Sequence, residues 1–219
     1  MRARPSLSPE LIIDAASRLA ATSGAEALTV RRLGKELGAD PTAVYRHFRD
    51  RDEIVLEVAD RLIGQIIEEL PAGLPWRERL DWLGRALVRT FVGHPAIAPT
   101  VAMRTTRRPG EFRTVEVILG ALREAGLGDR QAAVHHRVFA DTLLSYAGMC
   151  AGYATLEERS RRGDESAWAR EYQQLPAADY PNIAAVRPHF ATVDDDVVLT
   201  GLLGALLDMI EREATSQRR

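Results

Sequence analysis

Thr42 and Arg46 are the two side chains of this sequence whose types and spacing best suit contact with DNA bases. They lie four residues apart in a predicted helix over 41–48, so they share one face, opposite the apolar Val44 and Phe48. An arginine can donate two hydrogen bonds to guanine, and a small neighbour lets the helix backbone approach the major groove. The residues beside them are small, aromatic or basic: Ala43, Tyr45 and His47. This face indicates a helix that reads DNA.

A second predicted helix precedes this one and would support it. Its apolar residues fall at i, i+3 and i+7, which lines one face of a helix: Val30, Leu33 and Leu37. Arg31 then points away from that face. Gly38 supplies the left-handed position that ends the helix, Asp40 is a good N-cap, and Pro41 fits the first position of the next helix. The two segments together predict a helix-turn-helix.

Short amphipathic helices joined by a glycine turn also occur in proteins that do not bind DNA, and the pattern alone leaves that alternative open. The flanking residues favour the DNA-binding interpretation. Residues 29–54 resemble the N-terminal signature of TetR-type transcriptional repressors. The signature positions are occupied here by Thr29, Val30, Arg31, Leu33, Gly34, Leu37, Gly38, Ala39, Asp40, Val44, Tyr45, His47, Phe48, Asp50, Arg51 and Ile54. Gly34, Asp40, Arg51 and Ile54 depart from the usual residue but keep its physical character.

The resemblance implies an all-α protein with an N-terminal three-helix DNA-binding domain and a helical C-terminal domain for ligand binding and dimerisation. We expect the first domain at residues 1–50 and the second at 51–219. We call this first domain the reader, and within it we expect Arg46, Thr42 and Ala43 to face base edges. We expect the phosphates to be held by Tyr45, His47, Arg31 and Arg51. The protein would then be a ligand-responsive repressor that binds a palindromic double-stranded DNA operator as a homodimer.

The distribution of charge agrees with this division. The formal net charge is −2, but residues 1–51 sum to +3 and the remaining residues to −5. A basic reader on an acidic body is typical of a DNA-binding regulator. The single cysteine, Cys150, excludes an internal disulfide, and the sequence shows no signal-peptide pattern and no apolar run of about 20 residues. We therefore expect a cytoplasmic protein that does not enter a membrane.

The rest of the chain reads as helices, without a convincing strand or internal repeat. Residues 157–165 are charged and predicted to be mobile, and residues 166–193, with three prolines, are predicted to be irregular. The predicted helices after the reader cover residues 50–70, 76–92, 94–105, 112–125, 129–156 and 194–213. The first of these, with Asp50 and Glu53 predicted as a capping box at its start, would connect the reader to the second domain. A further helix is predicted before the reader's helix pair, over residues 9–23, with Ser8 as its N-cap and Gly24 at its end.

Small residues on successive turns of the helices over 129–156 and 194–213 would let another helix approach closely. The interface set is Gly148, Gly152, Val197, Gly201, Gly204, Ala205 and Met209. Packing of the two helices within one chain would explain the same pattern. The family resemblance implies instead that they form a four-helix bundle with their copies in a homodimer.

An apolar stripe with methionine and aromatic residues suggests a cavity for a hydrophobic small-molecule inducer. The expected wall is Leu83, Leu87, Phe91, Met103, Val115, Leu119, Phe139, Leu143 and Tyr146, with polar ends at His94, Arg104 and Tyr146. Ordinary core packing would explain each position equally well.

The second half of the chain also resembles the subgroup that contains the tetracycline repressor. The residues that carry this looser likeness are Trp82, His94, Pro95, Arg108, Pro109, Thr114, Val115, Glu116, the run from Leu122 to Gly128, Tyr180, Pro181 and Asn182. In that repressor a histidine helps to hold a magnesium–drug chelate. Apolar residues such as Val101 and Ile118 occupy the corresponding positions here, so we expect neither a metal nor a cofactor.

No catalytic triad, phosphate-binding glycine loop or Cys-x-x-Cys pair is present in the sequence, and we expect no enzymatic activity. Two alternatives remain open at this stage: a helical enzyme that binds a small molecule, and an adaptor that binds another protein. Footprinting on DNA upstream of the protein's own gene would distinguish them, since only a DNA-binding regulator would protect a palindrome.

Overall fold

The computed structural model describes residues 7–22, 28–190 and 192–217, and all regular secondary structure in these ranges is helical. The chain divides into two compact units, one of residues 1–155 with 209–219 and one of residues 156–208. The predicted all-α class is therefore confirmed.

The first three helices form a small cluster at the start of the first unit. They are α1 (Pro9–Ala20), α2 (Val30–Leu37) and α3 (Pro41–Val44). As predicted, Ser8 caps α1, and its hydroxyl accepts from the Leu11 backbone N–H at 3.3 Å. The predicted end of this helix at Ser23 and Gly24 lies outside the described residues. Apolar side chains from all three helices, including Ile12, Leu33 and Val44, are fully buried and hold the cluster together.

Helix α3 is shorter than the predicted helix over 41–48. After Val44 the chain tightens into turns, in which the Arg46 N–H donates to the Ala43 carbonyl at 3.3 Å and the His47 N–H to the Val44 carbonyl at 3.0 Å. These bonds span three residues rather than four, and they satisfy the carbonyls at the end of a short helix.

Five further helices complete most of the first unit. They are α4 (Arg51–Glu68), α5 (Trp76–Val92), α6 (Ala98–Val101), α7 (Pro109–Ala125) and α8 (Asp129–Ala154). Helix α4 packs against α1 and α7, and α8 packs against α5, α6 and α7. The prediction that the sixth helix continues to Thr105 is wrong, because the backbone N–H groups of Thr106 and Arg107 bind the Glu111 carboxylate instead of continuing a helix.

The second unit contains helices that the sequence did not predict. They are α9 (Glu158–Ala167), α10 (Glu171–Gln174) and α11 (Pro181–Phe190). The helix predicted over 194–213 is α12 (Asp195–Gln217), which begins in this unit. The ring of Trp168 lies 4.2 Å from that of Tyr172 and 4.5 Å from that of Phe190. The Arg187 guanidinium also donates to the Gln173 carbonyl at 2.7 Å. These contacts join distant segments, so local periodicity did not reveal them.

The compact units do not divide at residue 50, because α1–α3 fall in the same unit as α4–α8. The boundary between a reader at 1–50 and a second domain at 51–219 stays a prediction. Helix α4 does begin at Arg51, directly after the reader. In the parts of the chain that the structure describes, no helix combines the length and apolarity that a bilayer span requires.

The crossing of α4 and α7 gives a first prediction, because Gly110 of α7 lies directly on the α4 backbone. A Cβ atom at Gly110 would lie 2.2 Å from the Asp60 carbonyl oxygen, whereas one at Gly120 of the same helix would meet no described atom within 4 Å. We expect Gly110→Ala to lower the free energy of unfolding by about 1–3 kcal/mol through overpacking. Gly120→Ala should raise it by about 0.5–1 kcal/mol, because alanine favours helix over glycine. Urea denaturation of both variants measures the difference, and equal midpoints would contradict the close packing at Gly110.

Candidate DNA interface and ligand cavity

The hydrogen bonds that cap α2 and α3 fix the turn between them. Thr29 Oγ1 accepts from the Arg32 N–H at 3.2 Å, and Gly38 has φ 61°, which favours glycine. Asp40 Oδ1 accepts from the Thr42 N–H at 2.8 Å and from its hydroxyl at 2.6 Å. The predicted caps of this helix-turn-helix are therefore all present, and they position the residues of α3 and the turn after it.

The predicted DNA-contacting residues are presented to solvent. Thr42, Tyr45, Arg46 and His47 are exposed, as is Arg31 of α2, and Ala43 is half-buried. Valine and phenylalanine on the other side of the segment are buried, at Val44 and Phe48. The segment thus has a packed side and an outer side of small, aromatic and basic groups, as an element for the major groove requires.

Two of these residues already have partners within the chain. The Arg51 Nε donates to the Leu28 carbonyl at 2.6 Å, so part of this guanidinium holds the start of α4 to the residue before α2. The Thr42 hydroxyl donates to Asp40, which leaves its oxygen free only to accept. The hydrogen bonds from the Thr42 side chain and backbone lower the pKa of Asp40, so this carboxylate stays charged on the outer side of the turn.

Helix α4 is tied to the reader at its first turn and again just past its middle. The Glu53 N–H donates to Asp50 Oδ1 at 2.8 Å, and the Arg49 N–H donates to Glu53 Oε2 at 2.7 Å. The predicted capping box therefore forms, with its return bond made to Arg49. Further along, Arg61 pairs with Asp14 of α1. These contacts make α4 a continuous connection from the reader into the rest of the unit.

Asp60, in the middle of α4, caps the start of α7. Its Oδ1 accepts from the Glu111 N–H at 2.8 Å and the Thr106 hydroxyl at 2.9 Å, and its Oδ2 accepts from the Gly110 N–H at 2.9 Å. The residue at the N-cap position of α7, Arg108, makes no side-chain capping bond. A buried carboxylate from another helix thus satisfies the first N–H groups of α7.

The segment 102–108 before α7 is held to α4 at two further points. Arg104 Nη1 lies 2.8 Å from Asp52 Oδ2, and Arg108 Nε lies 2.5 Å from Glu57 Oε1. Together with Asp60, three acidic residues of α4 bind this one segment. We call these contacts the α4 clamp: Asp52 with Arg104, Glu57 with Arg108, and Asp60 with Thr106, Gly110 and Glu111.

A cavity of about 420 Å³ lies inside the first unit, between α4, α5, α6, α7 and α8. Apolar side chains from all five helices contribute to its wall, and residues 102–106 of the clamped segment form one side. Its apolar lining residues are Ile63, Leu87, Val101, Ala102, Met103, Val115, Ile118, Ala140 and Leu144. The size and lining suit a drug-sized molecule that is largely apolar.

The structure brings four of the predicted ligand residues into this wall: Leu87, Met103, Arg104 and Val115. Four others lie outside it as fully or almost fully buried core: Leu83, Phe91, Phe139 and Leu143. His94, Leu119 and Tyr146 are also outside the wall, and the His94 Nδ1 lies 2.7 Å from the Thr90 carbonyl. The residues expected to replace a metal-binding histidine, Val101 and Ile118, do line the cavity.

Sequence reasoning missed the polar side of the wall, which α8 supplies through His136, Arg137, Asp141 and Ser145. Arg137 and Asp141 are joined at 2.7 Å, and this i, i+4 ion pair was the one local signal that they share a helix face. Among the described residues, no group of three or more histidine, cysteine or acidic side chains could hold a metal ion.

The predicted interface residues differ in their surroundings. A Cβ atom at Gly152, Gly201 or Gly204 would meet no described atom within 4 Å, and Val197 and Ala205 are exposed. Met209 is half-buried. Gly148 instead serves packing within the chain, because a Cβ atom there would lie 3.3 Å from Ala102 Cβ and close to α6. The close approach at Gly148 is thus between α6 and α8.

Comparison with known protein families gives two matches that cover most of the chain. The family described as bacterial regulatory proteins, tetR family, matches residues 12–58, and the tetracyclin repressor-like C-terminal domain matches residues 70–210. An HTH-type transcriptional regulator of Saccharopolyspora erythraea is 25% identical over 187 residues, which are 85% of this chain and 78% of the relative.

Two solved structures similar to this chain contain ligands of different kinds. ActR, a TetR family protein of Streptomyces coelicolor crystallised in complex with (S)-DNPA, is 25% identical with a TM-score of 0.78, and the match covers 95% of this chain and 98% of ActR. BioQ, crystallised with its double-stranded DNA operator, is 26% identical with a TM-score of 0.56, over 67% of this chain and 88% of BioQ.

Proposed function

Because the chain belongs to the TetR family of bacterial regulatory proteins, we propose that this repressor binds a palindromic operator as a homodimer and leaves it when a hydrophobic inducer binds. It is a transcriptional regulator and not an enzyme. This excludes the first of the two alternatives that the sequence left open.

The exposed face of α3 and the following turn is the observation that supports operator binding most directly. Arg46 is the long cationic donor on this face beside Thr42 and Ala43, which are small enough for close approach to bases. Arg31, Tyr45 and His47 are exposed around them and suit contacts to phosphates. Arg51 contributes from the start of α4, although its Nε already binds Leu28.

The open glycines of α8 and α12 support assembly as a homodimer. Gly152, Gly201 and Gly204 have space above their Cα atoms that no described part of the chain fills. Small residues on an exposed helix allow a partner helix to approach closely. Two readers related by a two-fold axis would enter successive major grooves, about 34 Å apart, of an operator with matching symmetry.

The cavity and the α4 clamp support control by a ligand. Residues 102–106 line the cavity, while Arg104 and Thr106 of the same segment bind Asp52 and Asp60 of α4. A ligand that displaces this segment would therefore act on the helix that begins at the reader. The ligand needs only to prefer the geometry that does not fit the operator, since its differential affinity sets the size of the response.

Footprinting tests the proposed function. Purified protein incubated with DNA from upstream of its own gene should protect a short palindrome at physiological salt, with half-sites one helical turn or a multiple of it apart. A random fragment of equal length is the control. Absence of protection on upstream DNA, with the protein folded and dimeric, would favour the remaining alternative of a protein-binding adaptor.

Arg46→Ala tests base readout by the turn after α3. We expect it to cost roughly 1–3 kcal/mol on the operator and much less on random DNA, since a base contact discriminates between sequences. Titrations on both DNAs by fluorescence anisotropy measure this difference. Arg89→Ala, which removes an exposed arginine of α5, is the control and should change neither affinity. Equal losses on both DNAs would make Arg46 a phosphate contact.

Gly204→Leu tests the dimer. The structure has room for a side chain at Gly204, so the variant should fold normally while its leucine keeps two subunits apart. Sedimentation velocity should then show a monomer, and operator affinity should collapse because two half-sites are no longer bound together. Gly120→Leu on α7 is the matched control, another helical glycine with open space, and should remain dimeric. A Gly204→Leu variant that stays dimeric and binds normally would remove Gly204 from the interface.

A further inference from the structure

His136 is the polar group of the cavity wall that is most plainly available to a ligand. The Thr106 hydroxyl binds Asp60 and Glu111, the Thr114 hydroxyl donates to the Gly110 carbonyl at 3.0 Å, and Arg137 pairs with Asp141. Within the described residues, the half-buried imidazole of His136 has no hydrogen bond or ion pair. The nitrogens of this ring are therefore left without a partner in the cavity wall.

The other polar groups of the wall are occupied or lie at its exposed edge. Arg104 is bound to Asp52, and Glu111 accepts from the Thr106 hydroxyl and the Arg107 N–H. The hydroxyls of Thr105 and Ser145 belong to exposed residues. His136 alone combines partial burial with free donor and acceptor capacity, so it can orient a ligand that the apolar wall would hold only by contact.

The charges that face His136 decide which polar group it suits. Burial, together with the positive charge of Arg137, lowers its pKa, while Asp141 and Glu111 act in the opposite direction. The ring is therefore neutral at pH 7 and offers one N–H and one nitrogen lone pair. Arg104 and Arg137 also line the cavity, but each is paired with a carboxylate. A carboxylate ligand would meet Asp141 and Glu111 without a free cation to bind.

We propose that His136 anchors the inducer, and that the cavity takes an uncharged, largely apolar molecule carrying a hydroxyl group, such as a phenol, that donates to the His136 imidazole. This inference rests on the ligand site of the proposed function and names the class of its ligand. The apolar body lies against the side chains of α4, α5 and α7, and the hydroxyl points to α8. The nitrogen lone pair of a neutral imidazole accepts the hydroxyl proton, and no covalent step is involved.

Three probes with one shared ring system test this assignment: 1-hydroxypyrene, pyrene and pyrene-1-carboxylate. Their affinities for the full chain are measured by their own fluorescence at pH 7.5, in buffer with EDTA. We expect 1-hydroxypyrene to bind roughly three- to tenfold more tightly than pyrene, the range for one net hydrogen bond. Pyrene-1-carboxylate should bind most weakly. Failure of 1-hydroxypyrene to bind, or tightest binding by the carboxylate, would overturn the assignment.

Variants of His136 separate anchoring from a general effect on the fold. His136→Leu should remove the advantage of 1-hydroxypyrene over pyrene while pyrene still binds, and His136→Gln, which keeps an acceptor, should restore part of it. The control His189→Leu changes an exposed histidine of α11 outside the cavity wall and should leave all affinities unchanged. An unchanged advantage in His136→Leu would place the hydroxyl elsewhere and overturn the proposal.

The dependence on pH gives a readout that a structural role of His136 would not produce. Affinity for 1-hydroxypyrene should be constant above the pKa of His136 and fall as the pH is lowered through it, because protonation removes the acceptor. His136→Gln should lose this decline, and its persistence there would contradict the proposal.

Protection of the operator without binding of 1-hydroxypyrene would overturn this inference alone. Binding without any DNA protection would contradict the proposed function and leave the ligand assignment standing.

Discussion

The carboxylate of Asp60 is the interaction on which the arrangement of α4 and α7 depends. A buried carboxylate is costly unless its oxygens are satisfied, and here three donors at 2.8–2.9 Å satisfy them. Two of those donors are the backbone N–H groups of Gly110 and Glu111, which begin α7 and otherwise lack a helical partner. Each helix therefore satisfies polar groups of the other: the N–H groups of α7 bind the buried carboxylate of α4, and that carboxylate caps α7. The same requirement accounts for Gly110, because α7 can come this close only without a side chain there.

This constraint also joins the cavity to the reader. Thr106 lines the cavity and binds Asp60 with its hydroxyl. Arg104 also lines the cavity and is paired with Asp52, near the start of α4. A molecule that fills the cavity must share its wall with the residues that hold α4. Because interiors are closely packed, a change in that wall cannot be absorbed locally without cost. The proposed ligand control needs only this shared segment and helix α4, which runs from its contacts with the segment to Asp50 beside the reader.

Local signals were sufficient to predict the reader and insufficient for the rest. The caps at Asp40 and Asp50 and the left-handed Gly38 are each encoded within four residues, so sequence spacing identified them. The cap at Thr29 is equally local, but it was not predicted from the sequence. Asp60 and Gly110 are fifty residues apart, and in the sequence Asp60 is merely a polar residue in an amphipathic helix. The same limit explains α9–α11, whose aromatic contacts join residues 168 and 190. Proline-rich composition suggested irregular structure there, but tertiary contacts between segments outweigh such local preferences.

The cavity wall shows why apolar pattern alone cannot locate a ligand site. Large residues at regular helical spacing, such as Phe139 and Leu143, are the ones that pack most completely and so leave no space beside them. Space remains where short side chains line the wall, as Ala102 and Ala140 do in this cavity. The residues of α8 that a ligand would contact therefore lie on the helix face next to the buried core residues, and His136 is one of them. A search of the sequence for bulky apolar residues finds the core, whereas a ligand site requires small residues beside a polar group that has no partner.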